Sequence, residues 1–328
     1  THPKMNVSLE PGGQIEVSIS PMKDINQIKN IYLSFLDDVI PILNQRNQYL
    51  VTLGYQPTTT IKNIPLLPKK RYHYMYNYFK DKGKYAHNMM KGTASIHVNV
   101  DYSNEKDYIK KYKVTSFLSP IIYSIFDNTP FFEGKKFSGK SIRAKIWNNC
   151  DKDRCGLIDN VFDNNFGYKK YALYLLNTPP ILLKKGKEIL YTDDKLFQNL
   201  FEPDKFTKED IDYVLSMVFP DIRTKNYIEI RMGDALPYPE NLGYLAFWKG
   251  LLYNKNNLDQ LYKLINEFDK SDILSIYQHI NKQGLNSKID GINIYQYFLK
   301  LLKMAKKGLS DSEINYIKPL EKLLSVQK

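Results

Sequence analysis

The chain has 328 residues, with 47 Lys and Arg against 35 Asp and Glu, a formal net charge of +12. Hydrophobic residues are 43% and charged residues 25%, which excludes disorder and collagen-like repeats and allows a large core in one or two domains. The longest apolar stretches, such as Ile31–Leu43, are broken by charges (here Asp37 and Asp38) and fall short of the roughly 20 apolar residues a membrane-spanning helix needs. Two cysteines, Cys150 and Cys155, cannot build a disulfide framework and point to a reducing compartment, the cytoplasm. The sequence opens at Thr1 without an initiator Met or a signal peptide, and this internal-looking start predicts further sequence upstream. The basic residues are dispersed, with no zinc-finger spacing and no RNP-like motif, so they read as a solvated surface and not as a nucleic-acid interface.

In chain order, Val17–Ser20 alternates like the end of a strand, and Ile25, Ile28, Tyr32, Phe35 and Val39 follow at helical spacing. Thr58–Pro68 reads as a loop, Arg71–Phe79 as a Tyr-rich helix, Ser95–Asp101 as a strand and Asn104–Phe126 as a long helix. Asp127–Ser138 is turn-rich, and Ile142–Trp147 alternates like a strand before the polar loop Asn148–Asp153. Gly167–Asn177 reads as a helix stopped by Pro179 and Pro180. Lys205–Phe219 reads as another, with Thr207 capping and Asp210 three residues later. Tyr227–Arg231 is a strand, and from Asn241 onward the pattern is helical. Strands confined to the first two thirds, with helices packed on, predict an α+β protein: a catalytic domain over 1–255, and C-terminal helices over 256–328 on the same body.

Side chains alternate across a strand, so residues two apart share a face. Gln14, Glu16 and Ser18 share one, as do Ser95, His97, Asn99 and Asp101; Arg143, Lys145 and Trp147; and Tyr227, Glu229 and Arg231. The opposite faces are β-branched or apolar. A half-solvated antiparallel sheet produces such a pattern by itself. Carboxylate, imidazole, amide and guanidinium groups on one face also suit a metal and an anionic substrate.

Gly134–Ser141 matches the phosphate-loop pattern G-x-x-x-x-G-K-[ST]. A working loop of that kind follows a buried strand and opens a helix. Here a turn segment with Pro130 precedes it and an apparent strand follows, so the match reads as accidental. Cys150 and Cys155 lack partner ligands for a zinc half-site. Of five histidines only His97 stands on the polar face of a predicted strand.

Leu9-Glu10-Pro11-Gly12-Gly13-Gln14-Ile15-Glu16 resembles the Leu-Glu-Pro-Gly-Gly-Gln-x-Glu signature of the plant and proteobacterial type of glutamate–cysteine ligase. The resemblance continues, in order, through Pro68–Tyr72, Met89–Asn99, Ser141–Trp147, Asp151–Gly156, Val161–Gly167, Tyr227–Arg231 and Ala246–Tyr253, and weakens in the C-terminal helices. It implies a glutamine-synthetase-like carboxylate–amine ligase fold, a curved, mainly antiparallel sheet with helices on its outer face. It also implies ATP-dependent joining of the glutamate γ-carboxylate to the cysteine amine through γ-glutamyl phosphate, on an ATP site without a phosphate loop.

The same resemblance assigns Mg²⁺ to Glu10, Glu16, His97 and Glu229. It assigns ATP phosphates to Arg154 and Arg231, reacting oxyanions or the substrate carboxylate to Arg71 and Arg143, and the pocket lining to Asn99 and Trp147. Its partners would be ATP, L-glutamate and L-cysteine, in a monomer or weak homodimer free of membrane and nucleic acid. Plant members read Gln at His97 and Val-Pro-Met-Tyr at Thr178-Pro179-Pro180-Ile181, which replaces an aromatic near the acceptor pocket. The family also carries a Glu-x-Glu strand upstream of the position where this sequence opens. Three readings follow: glutamate–cysteine ligase, a ligase of the same mechanism with another amine acceptor, or a catalytically impaired relative kept for binding or regulation.

Overall fold

The structure is a computed structural model that describes residues 3–137, 141–185 and 188–326. β1 (Met5–Leu9) and β2 (Ile15–Ile19) form an antiparallel hairpin. Its turn is closed by Gly13 N–H to Glu10 O (2.8 Å) and by Gly12 N–H to Gln14 Oε1 (2.8 Å). A Cβ on Gly12 would lie 2.2 Å from Lys91 O, and Gly13 has φ +85°, so both positions require glycine. The turn therefore lies directly on the chain just ahead of the central sheet.

α1 (Ile25–Asn44) starts at Asp24, whose carboxylate caps Gln27 N–H at 2.9 Å. α2 (Lys70–Tyr78) and α3 (Ala86–Gly92) lead into β3 (Ser95–Val100). α4 (Glu105–Ile125) is capped by Asn104 and lies against the central sheet. There Tyr108 Oη meets Thr224 Oγ1 (2.8 Å) and Tyr112 Oη donates to Ile222 O (2.6 Å). A short hairpin, β4 (Phe131–Phe132) and β5 (Lys135–Lys136), interrupts the expected loop.

α5 (Ile142–Trp147) corrects an expectation, because this segment is a helix and not a strand. Ile142-Arg143-Ala144-Lys145-Ile146-Trp147 satisfies both periods: it alternates, yet Ile142 with Ile146 and Arg143 with Trp147 are also four apart. Ser141 decides, its Oγ accepting Ala144 N–H at 3.1 Å. Arg143 and Trp147 thus share a helix face, while Lys145 turns to solvent.

β6 (Cys155–Gly156), α6 (Tyr168–Leu176) and the hairpin β7 (Ile181–Lys185) with β8 (Glu188–Asp193) follow. Ile181 is buried with φ +61°, a strained backbone for a β-branched residue. α7 (Lys208–Leu215) begins with the expected capping box of Thr207 and Asp210, and it ends before β9 (Phe219–Pro220). β10 (Ile222–Thr224) and β11 (Ile228–Asp234) join β3 in an antiparallel sheet ordered β10-β11-β3, the widest among the described residues. Every described strand pair is antiparallel except β6 with β9.

α8 (Glu240–Leu252), α9 (Lys255–Ile265), α10 (Lys270–Gln283), α11 (Ile294–Lys307) and α12 (Lys318–Val326) complete an α+β fold. One apolar core runs from Ile25 to Leu320 through Trp248, Phe247 and Phe298. Among the described residues, no helix is long and apolar enough to cross a membrane.

Candidate active site

β11 builds the site. Ile228 and Ile230 are fully buried on one face, while Glu229 and Arg231 project from the other. Register places Arg223 of β10 and Asn99 of β3 directly beside Glu229. The strand then shifts register between Ile230 and Gly233, opposite His97, a bulge that re-aims Arg231.

Arg223 Nη2 donates to both oxygens of Glu229, at 2.8 and 3.0 Å. Arg231 Nη1 donates to Oε1 as well, and His97 Nδ1 and Lys225 Nζ stand 3.6 Å away. Burial works to raise the Glu229 carboxyl, but Arg231, Arg223, His97 and Lys225 together hold it well below the usual carboxylate range. The same crowd acts oppositely on its cations. Desolvation on its inner side, then Arg231, pushes the partly exposed His97 below the usual histidine range, and burial and Arg223 lower Arg231. Glu229 is therefore one anion among an excess of positive charge.

α5 adds Arg143, whose Nε and Nη2 donate to Arg231 O at 3.1 and 2.7 Å. Its guanidinium lies 5.1 Å from the centre of the Trp147 ring, and that of Arg231 lies 5.7 Å from the same ring. α2 adds Arg71, which touches Met217 Sδ (3.7 Å) and the Tyr213 ring (5.5 Å). Nε of Arg71, Arg223 and Arg231, Nη1 of Arg143 and Nε1 of Trp147 are all buried with no partner. Buried N–H groups without acceptors are costly. Several guanidinium donors in one place form a receptor for an oxyanion.

The hairpin turn holds Glu10 near this cluster. Burial and Glu16 raise the Glu10 carboxyl, while Arg71, Lys69 and Arg231 pull it down. Glu16 is exposed and accepts Ser18 Oγ at 2.9 Å.

Of the expected residues, Arg71, Asn99, Arg143, Trp147, Glu229, Arg231 and His97 converge, with Glu10 beside them. Arg154 does not join. It is fully buried, and all three of its nitrogens are used: on Asp151 (2.6 Å), Met217 O (2.9 Å) and Tyr78 Oη (2.8 Å). It braces the interior, where a contact with ATP phosphates was expected. Arg223 and Lys225 were missed. The alternation of Ile222-Arg223-Thr224 was the available signal, but three residues are too few to read as a strand. The phosphate-loop match cannot be placed as a whole, because Ser138, Gly139 and Lys140 lie outside the described residues; Ser141 is committed to capping α5.

The donor types can be tested against Mg²⁺. Glu10 and Glu16 offer hard oxygens whose mutual repulsion a cation would relieve. Glu229 already accepts three guanidinium bonds, and a carboxylate has about four lone-pair sites, so one remains. Among the described residues, no three His, Cys, Asp or Glu side chains are grouped as a metal site. The residues fit the ion in kind, with Glu10 and Glu16 the less encumbered pair.

A family model described as glutamate-cysteine ligase family 2 matches residues 3–323. A rice relative named glutamate–cysteine ligase B, chloroplastic, is 29% identical over 98% of this chain and 67% of its own length. The Arabidopsis thaliana and Nicotiana tabacum proteins named glutamate–cysteine ligase, chloroplastic, are 32% and 31% identical, each over 93% of this chain and 60% of their own length.

Proposed function

Because the chain belongs to glutamate-cysteine ligase family 2, we propose that it catalyses ATP-dependent formation of γ-glutamylcysteine from L-glutamate and L-cysteine, the first step of glutathione biosynthesis. The observation that carries this reading is the set of guanidinium groups of Arg71, Arg143, Arg223 and Arg231, each with a buried N–H that no protein acceptor uses.

A carboxylate resists attack by an amine until one of its oxygens becomes a leaving group. Transfer of the ATP γ-phosphoryl forms a bond from the glutamate γ-carboxylate oxygen to phosphorus and breaks the bond to ADP. The amine then forms the C–N bond, phosphate leaves with the C–O bond, and the amine gives up a proton. Both steps crowd negative charge together, and preorganised cations stabilise such charge most where water is excluded.

Arg231 faces the phosphates in this reading, held in place by Glu229. Arg71 and Arg143 take the substrate carboxylate and the developing oxyanion, and Trp147 and Asn99 line the pocket. Glu10 and Glu16, with Glu229 and His97 beside them, would hold Mg²⁺, which supplies charge neutralisation to the triphosphate. We place the fold with the glutamine-synthetase-like carboxylate–amine ligases, supported by an antiparallel sheet with α4 on its apolar face. Free thiols at Cys150 and Cys155 fit a reducing compartment such as the cytoplasm.

One observation favours a different amine acceptor: buried, strained Ile181 at the place of the aromatic that the plant-type signature carries. The deciding experiment measures phosphate release from ATP with glutamate plus each of the twenty amino acids in turn, identifying the product by mass. Release requiring cysteine and yielding γ-glutamylcysteine supports the assignment. Release with a different amine moves it to the second acceptor, and no release with any amine leaves a binding relative.

A further inference from the structure

Three arginines from three parts of the chain meet one short turn, Ser216–Val218. Arg223 Nη1 donates to Ser216 O and Val218 O, both at 3.2 Å, while its Nη2 spans the carboxylate of Glu229. Arg154 Nη1 donates to Met217 O at 2.9 Å. Arg71 Nη2 rests on Met217 Sδ at 3.7 Å. Met217 is fully buried, so the turn cannot shift without moving its neighbours.

Resting on the ligase reading, we propose that Arg223 is the positioning residue of the oxyanion cradle. It ties the Glu229 carboxylate to the turn that seats Arg71. Glu229 in turn holds Arg231, so Arg223 steadies both the strand that carries Arg231 and the turn on which Arg71 rests, and each of those two arginines keeps an unused N–H for an anion. Arg223 is suited to this because a guanidinium has five donors in a rigid plane, and here two edges face different partners. Lysine in its place would keep the charge and lose the geometry. The anion is an oxyanion, carried by the phosphates of ATP or by the carboxylate of glutamate.

The test is binding, measured without turnover. Inorganic tripolyphosphate and, separately, L-glutamate are titrated in magnesium-containing buffer against the full chain, and the unfolding temperature is followed. The arm that responds identifies the source of the anion. Arg223→Met should weaken that binding by about 10- to 100-fold, the loss of one or two charge-assisted bonds. Arg223→Lys should fall between it and the wild type, and Arg46→Met, at an exposed position, should change nothing.

A positioning role has a second signature. In a Glu229→Gln background, removing Arg223 should cost less than about threefold, because the charged two-oxygen group it spans is reduced to one neutral carbonyl. Additive losses in that cycle, binding by Arg223→Met equal to the wild type, or no binding of either anion by the wild type overturns the inference. If Arg223→Met does not fold, Arg223→Lys decides, and wild-type affinity in that variant overturns it. Wild-type γ-glutamylcysteine synthesis is assayed in parallel. Its absence, with anion binding still dependent on Arg223, overturns the ligase reading while supporting the role of Arg223.

Discussion

Arg143 donates two hydrogen bonds, at 3.1 and 2.7 Å, to the backbone carbonyl of Arg231, so one arginine of the site fixes the strand that carries another. Both guanidinia also lie near the Trp147 ring. Only a planar fork makes that paired contact. Arg143→Lys should therefore lower kcat by about 10- to 100-fold, equivalent to roughly 1.4–2.7 kcal/mol, while the circular dichroism spectrum stays that of the wild type. Wild-type kcat in Arg143→Lys would show that the carbonyl contact is dispensable.

Glu229 is nearly fully buried among Arg223, Arg231, Lys225 and His97. Glu229→Gln keeps the shape and removes the one negative charge in that crowd. Phosphate release should disappear. Stability should fall by up to about 3–5 kcal/mol, because cations are left facing one another in a buried place. The glutamine carbonyl still accepts from Arg223 and Arg231, so the fold should survive. Phosphate release near the wild-type rate would remove Glu229 from the reaction.

Gly134–Ser141 should not bind phosphate. The two-residue strand before Gly134 is partly exposed, and the Ser141 hydroxyl is already used on the Ala144 amide. The helix that follows has only six residues. Lys140→Ala should leave the KM for ATP within a few-fold of the wild type. A fall in turnover on the order of a thousand-fold, as for a true phosphate-loop lysine, would reverse this reading.

Half-buried Asp127 stands beside fully buried Asp234 at the end of β11. Burial, then the charge of Asp234, pushes the Asp127 carboxyl up to about 7. Its folded pKa lies above its unfolded one, so the protonated form belongs to the folded state. The stability it contributes is fully present below about pH 4 and is lost as pH rises towards 7. Asp127→Asn supplies a permanent donor to Asp234. Relative to the wild type, its urea midpoint should climb between pH 4 and 7 and stay higher at pH 8. A pH-independent difference would place the proton elsewhere.

Local sequence determined the elements whose signals are local. The start of α4 at Asn104, and the cap of α7 at Thr207 with Asp210, stand where the sequence places them, because each capping hydrogen bond spans only three residues. The alternation of Ile228, Glu229, Ile230 and Arg231 was enough to put carboxylate and guanidinium on one face, since the period of a strand is fixed by its backbone. At Ile142–Trp147 two periods fitted six residues, and only the Ser141 cap separated helix from strand.

What the tertiary structure alone decided is which charges meet. Arg154 and Arg231 looked alike in sequence. One is spent on Asp151, Met217 O and Tyr78 in the interior, while the other keeps a free N–H beside Glu229. Arg223 became visible only when β10 paired with β11 and set it across from Glu229. The role of a guanidinium depends on the acceptors brought to it from distant parts of the chain, and that information lies in strand register and packing, which no local window contains.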